Sequence, residues 1–327
     1  MSESAYRRPY PALAPYATGR LAVGEGHELF YELCGNPQGR PAVFLHGGPG
    51  SGAGIHHRRL FDPAIWNVCL FDQRGCGRST PLGSLEANTT WHLVADLERL
   101  RLHLGFPSWL LFGGSWGATL ALAYGQAHPS RVDGMVLRGI FSGRRQELDW
   151  FYRDGANRLF PDRWERFVSV LESHERGDVV AAFHRRLTDP DRAVRARAAR
   201  AWTDWEAATV TLRTPAQARE ENAYADAQAS DAIIAFARIE NHYFSHSLWL
   251  EEGQLVDAVP RLSDIPAIIV QGRYDVVTPA ATAYAIAARW PRADLRIVEA
   301  AGHAFAEPGI LHELLEATDR FGAGWRD

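Results

Sequence analysis

The chain contains no lysine: all 35 of its Lys and Arg residues are arginine. Without a lysine amine the protein cannot form a Schiff base with pyridoxal phosphate or a carbonyl substrate, nor can it use a Ser–Lys dyad, so histidine or a carboxylate must serve as any base. Cysteine is nearly as scarce. Cys34, Cys69 and Cys76 are too few for a disulfide framework and lack metal-ligand spacing, so reduced thiols are expected. No apolar run approaches the roughly 20 residues needed to span a bilayer. The segment Met1 to Arg8 has no apolar signal core, and a cytoplasmic protein without a membrane partner is expected. The formal net charge is −4 and the basic residues are scattered, apart from an alanine-interleaved stretch from Arg192 to Arg200 that reads as a solvated helix face. Nucleic-acid binding would need a basic stripe with aromatics between, so no nucleic-acid partner is expected.

What the chain does have is a globular balance, 46% hydrophobic and 23% charged, over 327 residues. That length suits one large α/β domain carrying an insertion. Apolar runs at Leu29 to Leu33, Ala42 to Leu45, Val68 to Phe71, Trp109 to Phe112 and Met135 to Leu137 read as strands, with a helix over Val94 to Leu104. Strands resume at Ala267 to Val270 and Leu295 to Val298, with a helical stretch from Ala280 to Arg289 between them. Strands alternating with helices imply a mostly parallel sheet covered on both faces. Residues 142–258 are rich in Trp, Phe, Arg and Glu at helical spacing and read as a helical cap inserted into a catalytic domain formed by 1–141 and 259–327. An insertion at that point would lie over the C-terminal edge of the sheet, where open α/β sheets bind ligands.

One pentapeptide stands out. In Gly113-Gly114-Ser115-Trp116-Gly117 a serine sits between an apolar strand and the alanine- and leucine-rich helix Ala118 to Tyr124. This is the pattern of a nucleophile elbow, in which a sharp strand-to-helix turn strains the serine backbone and the glycines remove side chains that would collide. The helix N-terminus adds free N–H groups and a positive dipole end.

A serine hydroxyl needs a base, and the base usually needs a carboxylate to orient it. Asp275 follows the strand at 267–270, and His303 follows the strand at 295–298. The order Ser115, Asp275, His303 is that of the α/β-hydrolases. Asp72 competes as a carboxylate after a strand, but Asp72 to Ser79 is a polar turn early in the chain and is assigned to loop structure. His46-Gly47-Gly48-Pro49-Gly50, directly after the strand at 42–45, can bring backbone N–H groups to a reacting carbonyl. Gly47, Gly48 and the N–H of Trp116 are therefore the candidate oxyanion hole, with His46 orienting the loop.

On these segments, and on Asn88 to Trp91, Arg138 to Phe141, Trp205-Glu206, Ile239 to Phe244, Gly272 to Asp275 and Gly302-His303, the chain resembles the proline iminopeptidases over most of its length. The resemblance implies an α/β-hydrolase fold with a cap and release of N-terminal proline from peptides through an acylated serine. It implies no cofactor or metal. It also implies that Glu206 and Glu240 bind the free amino terminus, and that Phe141 and Phe244 line the pyrrolidine pocket. A tyrosine of that lining falls on Phe151, with Tyr152 adjacent, so one hydroxyl is missing from the family pattern. Read by helix position alone, both glutamates are surface charges.

Two other readings compete. An esterase, lactonase or amidase would use the same triad on a non-peptide acyl group, because fold does not settle substrate. A silent ligand receptor would retain the shell without needing the intact triad. Epoxide hydrolases and dehalogenases need a carboxylate where Ser115 stands, and a zinc aminopeptidase needs a His-Glu-x-x-His or comparable set that is missing.

Overall fold

Each run read as a strand forms one, and a further strand precedes them. The computed structural model describes residues 6–212 and 230–324. Outside the described residues lie 213–229 of the expected cap, most of the N-terminal segment read for a signal core, and the last three positions. The strands are β1 (Ala17–Gly24), β2 (His27–Gly35), β3 (Arg40–Leu45), β4 (Trp66–Phe71), β5 (Trp109–Ser115), β6 (Val132–Ile140), β7 (Ala267–Gly272) and β8 (Ala293–Val298). They form one sheet in the order β1-β2-β4-β3-β5-β6-β7-β8. The first two strands are antiparallel to their neighbours, and β4 through β8 run parallel.

Helices α1 (Thr90–His103) and α2 (Trp116–Ala127) flank β5 in sequence, and α10 (Ala280–Ala287) and α11 (Pro308–Gly322) follow β7 and β8. Between β6 and β7 the regular elements among the described residues are all helical. They are α3 (Arg145–Tyr152), α4 (Ala156–Leu159), α5 (Pro161–Val168), α6 (Val179–Leu187), α7 (Arg192–Thr209), α8 (Asp231–Ser245) and α9 (Gln254–Asp257), with short 3-10 turns.

The central strands are apolar on both faces because both faces are covered. Along β5, Trp109 and Leu111 enter the core that holds Leu120 and Leu122 of α2, whereas Leu110 and Phe112 enter the opposite core with Leu314 and Phe321 of α11. The helical segment is tied to the sheet domain by polar contacts at positions that range from buried to exposed. The Tyr243 hydroxyl donates to Asn88 Oδ1 at 2.8 Å, Trp91 Nε1 to the Trp249 carbonyl at 2.9 Å, and Trp150 Nε1 to the Val276 carbonyl at 2.8 Å. The motif at Asn88 to Trp91 is thus an anchor for the helices above it.

Cys34, Cys69 and Cys76 are free and buried. Burial pushes the Cys34 thiol up to about 11, so it is protonated at neutral pH. No helix among the described residues is long and apolar enough to cross a membrane.

Candidate active site

The parallel strands deliver the candidate residues to one edge. Register pairs Leu45 with Gly113 and Gly114 with Arg138, so the loop after β3, the end of β5 and the end of β6 lie side by side. Ser115 closes β5 and caps α2 with φ 57° and ψ −127°. A non-glycine residue held there costs on the order of 1–3 kcal/mol. Burying Leu110, Leu111 and Phe112 contributes about 1.5–3 kcal/mol each, enough to hold the strained turn. The two outer glycines are required by close approach. A Cβ on Gly113 would lie 2.2 Å from the Gly117 carbonyl oxygen, and one on Gly117 would lie 2.0 Å from the Leu45 carbonyl oxygen.

Asp275 and His303 meet although 28 residues separate them, with His303 Nδ1 2.8 Å from Asp275 Oδ2. Thr278 donates its N–H to Asp275 Oδ1 at 2.8 Å and its hydroxyl to Oδ2 at 3.0 Å, and Gln271 Nε2 donates to Oδ2 at 3.2 Å. Burial alone would raise the Asp275 pKa, but the charge and hydrogen bond of His303 and the N–H of Thr278 outweigh it and hold the carboxyl below its ordinary value. Burial lowers the His303 pKa against the pull of Asp275, which favours the neutral ring that a base requires. Gly139, at φ +55°, makes room: a Cβ there would sit 2.9 Å from His303 Cε1.

The loop after β3 lies against the elbow, since a Cβ on Gly47 would be 3.6 Å from Ser115 Cβ. His46 Nε2 accepts the Gln73 N–H at 3.0 Å, and its Nδ1 lies 3.0 Å from the Gly47 carbonyl and 3.3 Å from the Gly52 nitrogen. Ser51 Oγ donates to that same carbonyl at 2.8 Å. In a trans peptide the N–H points opposite to the C=O, so the Gly48 N–H is turned away from these bonds. Trp116 opens α2, and its N–H has no partner within the helix.

Gln73, which the sequence reading did not single out, ties these parts together. Its Nε2 donates to the His46 carbonyl at 3.0 Å and its Oε1 accepts Trp116 Nε1 at 2.8 Å. The adjacent Asp72 accepts the Ala53 N–H at 2.7 Å and Arg78 Nε at 2.7 Å, the loop role assigned to it.

A cavity of about 440 Å³ is lined by Gly47, Gly48, Ser115, His303, Glu206 and Glu240 together. Both glutamates lie on inward stripes of their helices: Glu206 follows Trp202 by one turn on α7, and Glu240 lies between Ala237 and Phe244 on α8. Glu240 is buried and Glu206 half-buried, so neither is a surface charge. Burial pushes Glu206 up to about 7, and burial together with the neighbouring Glu206 raises Glu240 well above the usual carboxylate range. Trp202 Nε1 donates to Glu240 Oε2 at 2.7 Å.

The expected pocket aromatics form one ring cluster but do not line this cavity; Tyr152 and Phe244 line a separate one of about 250 Å³. Phe141 meets Phe244 edge-on at 5.8 Å, Tyr152 lies 5.7 Å from Phe244 and stacks on Trp202 at 4.7 Å, and Phe151 lies 5.5 Å from Trp205. The Tyr152 hydroxyl lies 3.5 Å from Glu206 Oε1. Phe236, which the sequence reading passed over, lines the Ser115 cavity itself and packs on Gly48 and Gly50. Among the described residues no three His, Cys, Asp or Glu side chains are placed to hold a metal ion.

Residues 41–309 match the family model of the alpha/beta hydrolase fold. The chain is 50% identical to the proline iminopeptidase of Xylella fastidiosa (strain 9a5c), with 96% of this chain and 99% of the relative covered. It is 49% identical to a probable proline iminopeptidase of Leptolyngbya boryana, covering 97% of this chain and 98% of that one. Among solved structures, an esterase from Rhodococcus sp. ECU1013 superimposes with a TM-score of 0.59 at 18% identity over 94% of this chain and 98% of its own, a likeness of fold alone. By these matches the chain belongs to the α/β-hydrolases and, within them, to the proline iminopeptidases.

Proposed function

We propose that this protein is a serine aminopeptidase that releases N-terminal proline from peptides through an acyl-enzyme intermediate. Residues 142–258 act as the cap domain over a catalytic domain of 1–141 and 259–327. Ser115 Oγ attacks the carbonyl of the first residue while His303 Nε2 takes its proton and Asp275 fixes the ring through Nδ1. The N–H groups of Trp116 and of the Gly47-Gly48 segment, Gly48 foremost, stabilise the oxyanion. His303 then returns the proton to the departing amine, and water, activated by the same ring, cleaves the ester.

The observation that carries the substrate assignment is the pair Glu206 and Glu240 in the cavity of Ser115 and His303, with no cation paired to either among the described residues. A secondary ammonium offers two N–H donors to two carboxylates in charge-assisted hydrogen bonds. A blocked amine or a simple ester would leave both acids without a cation, which disfavours the esterase alternative. The adjoining rings of Phe141, Tyr152 and Phe244, with Phe151 behind, supply apolar surface for a pyrrolidine. The buried free thiols suit a reducing compartment, and we read the protein as cytoplasmic.

Initial rates on prolyl-β-naphthylamide, its N-acetylated form and the alanyl analogue test this reading, with Ser115→Ala as control. Rapid cleavage of the free prolyl amide alone is the expected result. Equal cleavage of the acetylated form, or near-normal turnover by Ser115→Ala, would refute it.

A further inference from the structure

The cavity around Ser115 is lined by one further charged side chain besides the two glutamates. Arg138 enters it from β6, beside Gly114, where an added Cβ would lie 2.5 Å from Arg138 Nη2. Nη1 donates to the His303 carbonyl at 2.7 Å. A guanidinium carries five N–H donors in a planar fork suited to a carboxylate, so this single bond leaves most of that capacity unused. No carboxylate among the described residues lies within ion-pair distance of it. Asp275, the one acid whose charge acts on it, is committed to His303 and Thr278. Burial brings the Arg138 pKa down to about 10, which keeps the side chain charged at neutral pH.

The charge of Arg138 lowers the pKa of His57 and also acts on His303 and Asp275 of the neighbouring pair. His57 lines the same cavity, stacks on Phe44 at 4.2 Å and meets Phe305 at 5.1 Å, giving Arg138 an apolar wall alongside. With an ammonium at the glutamates and the reacting carbonyl at Ser115, Arg138, Phe44, His57 and Phe305 would be among the lining left for the residue that departs.

We propose that Arg138 binds the C-terminal carboxylate of the substrate, so that the preferred substrates are zwitterionic dipeptides with a free amine at one end and a free carboxylate at the other. This rests on the reading of Glu206 and Glu240 as the amine site. The second residue's side chain lies against the Phe44–His57 stack and Phe305, and a longer or amidated substrate forfeits the contact with Arg138.

The test compares kcat/KM for Pro-Leu and Pro-Leu-amide, with prolyl-β-naphthylamide as the activity control. The free acid is expected to be preferred by about ten- to a hundredfold, the range for a hydrogen bond to a charged group. Arg138→Met should bring the ratio toward one, and Arg138→Lys should restore part of it. Wild-type enzyme that cleaves the naphthylamide yet treats acid and amide alike overturns the proposal, as does an unchanged ratio in Arg138→Met. Should Arg138→Met fail to fold, the wild-type ratio and Arg138→Lys still decide. Failure to cleave the naphthylamide at all would refute the prolyl reading instead.

Discussion

The carbonyl of Val210, four residues beyond Glu206, accepts the backbone N–H of His303 at 3.0 Å and that of Ala304 at 2.8 Å. The helix that carries Glu206 therefore also holds the loop of the histidine, through its C-cap residue. Loosening α7 should disturb both functions. Trp205, fully buried between Phe167 and Phe151, is the side chain that seats it. Trp205→Ala is expected to cost about 3–5 kcal/mol of stability and to lower kcat as well as raise KM. Thermal unfolding and steady-state kinetics check this, and an unchanged kcat would break the proposed link.

The acidic pair sets a pH dependence of its own. Burial pushes the Glu206 carboxyl up to about 7, so below that pH it is protonated and loses its attraction for an ammonium group. KM for a free-amine substrate should rise as pH falls through about 7, while an N-acetylprolyl ester should show no such limb. Glu206→Gln should abolish the limb. Either Glu206→Gln or Glu240→Gln should cost about ten- to a hundredfold in kcat/KM on free-amine substrates at pH 8. Unchanged kcat/KM in both variants would remove the amine-site assignment.

The Asp275–His303 contact yields a kinetic and a titration expectation. His303 must be neutral to accept the serine proton, and burial places its pKa below the ordinary histidine value of about 6.5. With the ester, whose binding does not involve the glutamates, the acid limb of kcat/KM should have its midpoint below about 6.5. Asp275→Asn would leave the ring without its acceptor at Nδ1 and should lower kcat by on the order of 10⁴-fold. A midpoint above the ordinary value, or a loss of only a few fold, would contradict the roles given to these residues.

Gln73 touches the His46 carbonyl and the Trp116 indole but does not line the cavity. Gln73→Leu should release the His46 loop from α2 and lower kcat by about tenfold with KM nearly unchanged, the loss of one or two neutral hydrogen bonds. Gln73→Glu keeps the acceptor for Trp116 and should recover part of the rate. A Gln73→Leu effect confined to thermal stability would show that the residue only packs.

The sequence by itself determined the elements whose signals are local. The elbow at 113–117, the central strands and the chain order of Ser115, Asp275 and His303 all follow from short-range patterns: apolar runs, helical spacing and turns that admit little but glycine. Strand β1 escaped because it is a largely exposed edge strand without a continuous apolar run. Tertiary structure alone decided how distant side chains share space. Glu206 and Glu240, being charged, read as surface residues until α7 and α8 pack and remove water from them, and that desolvation raises their pKa values. Gln73, Val210 and Arg138 matter through partners 27 to 165 residues away. A hydrogen bond or a dry cavity depends on three-dimensional proximity, which no window along the chain contains.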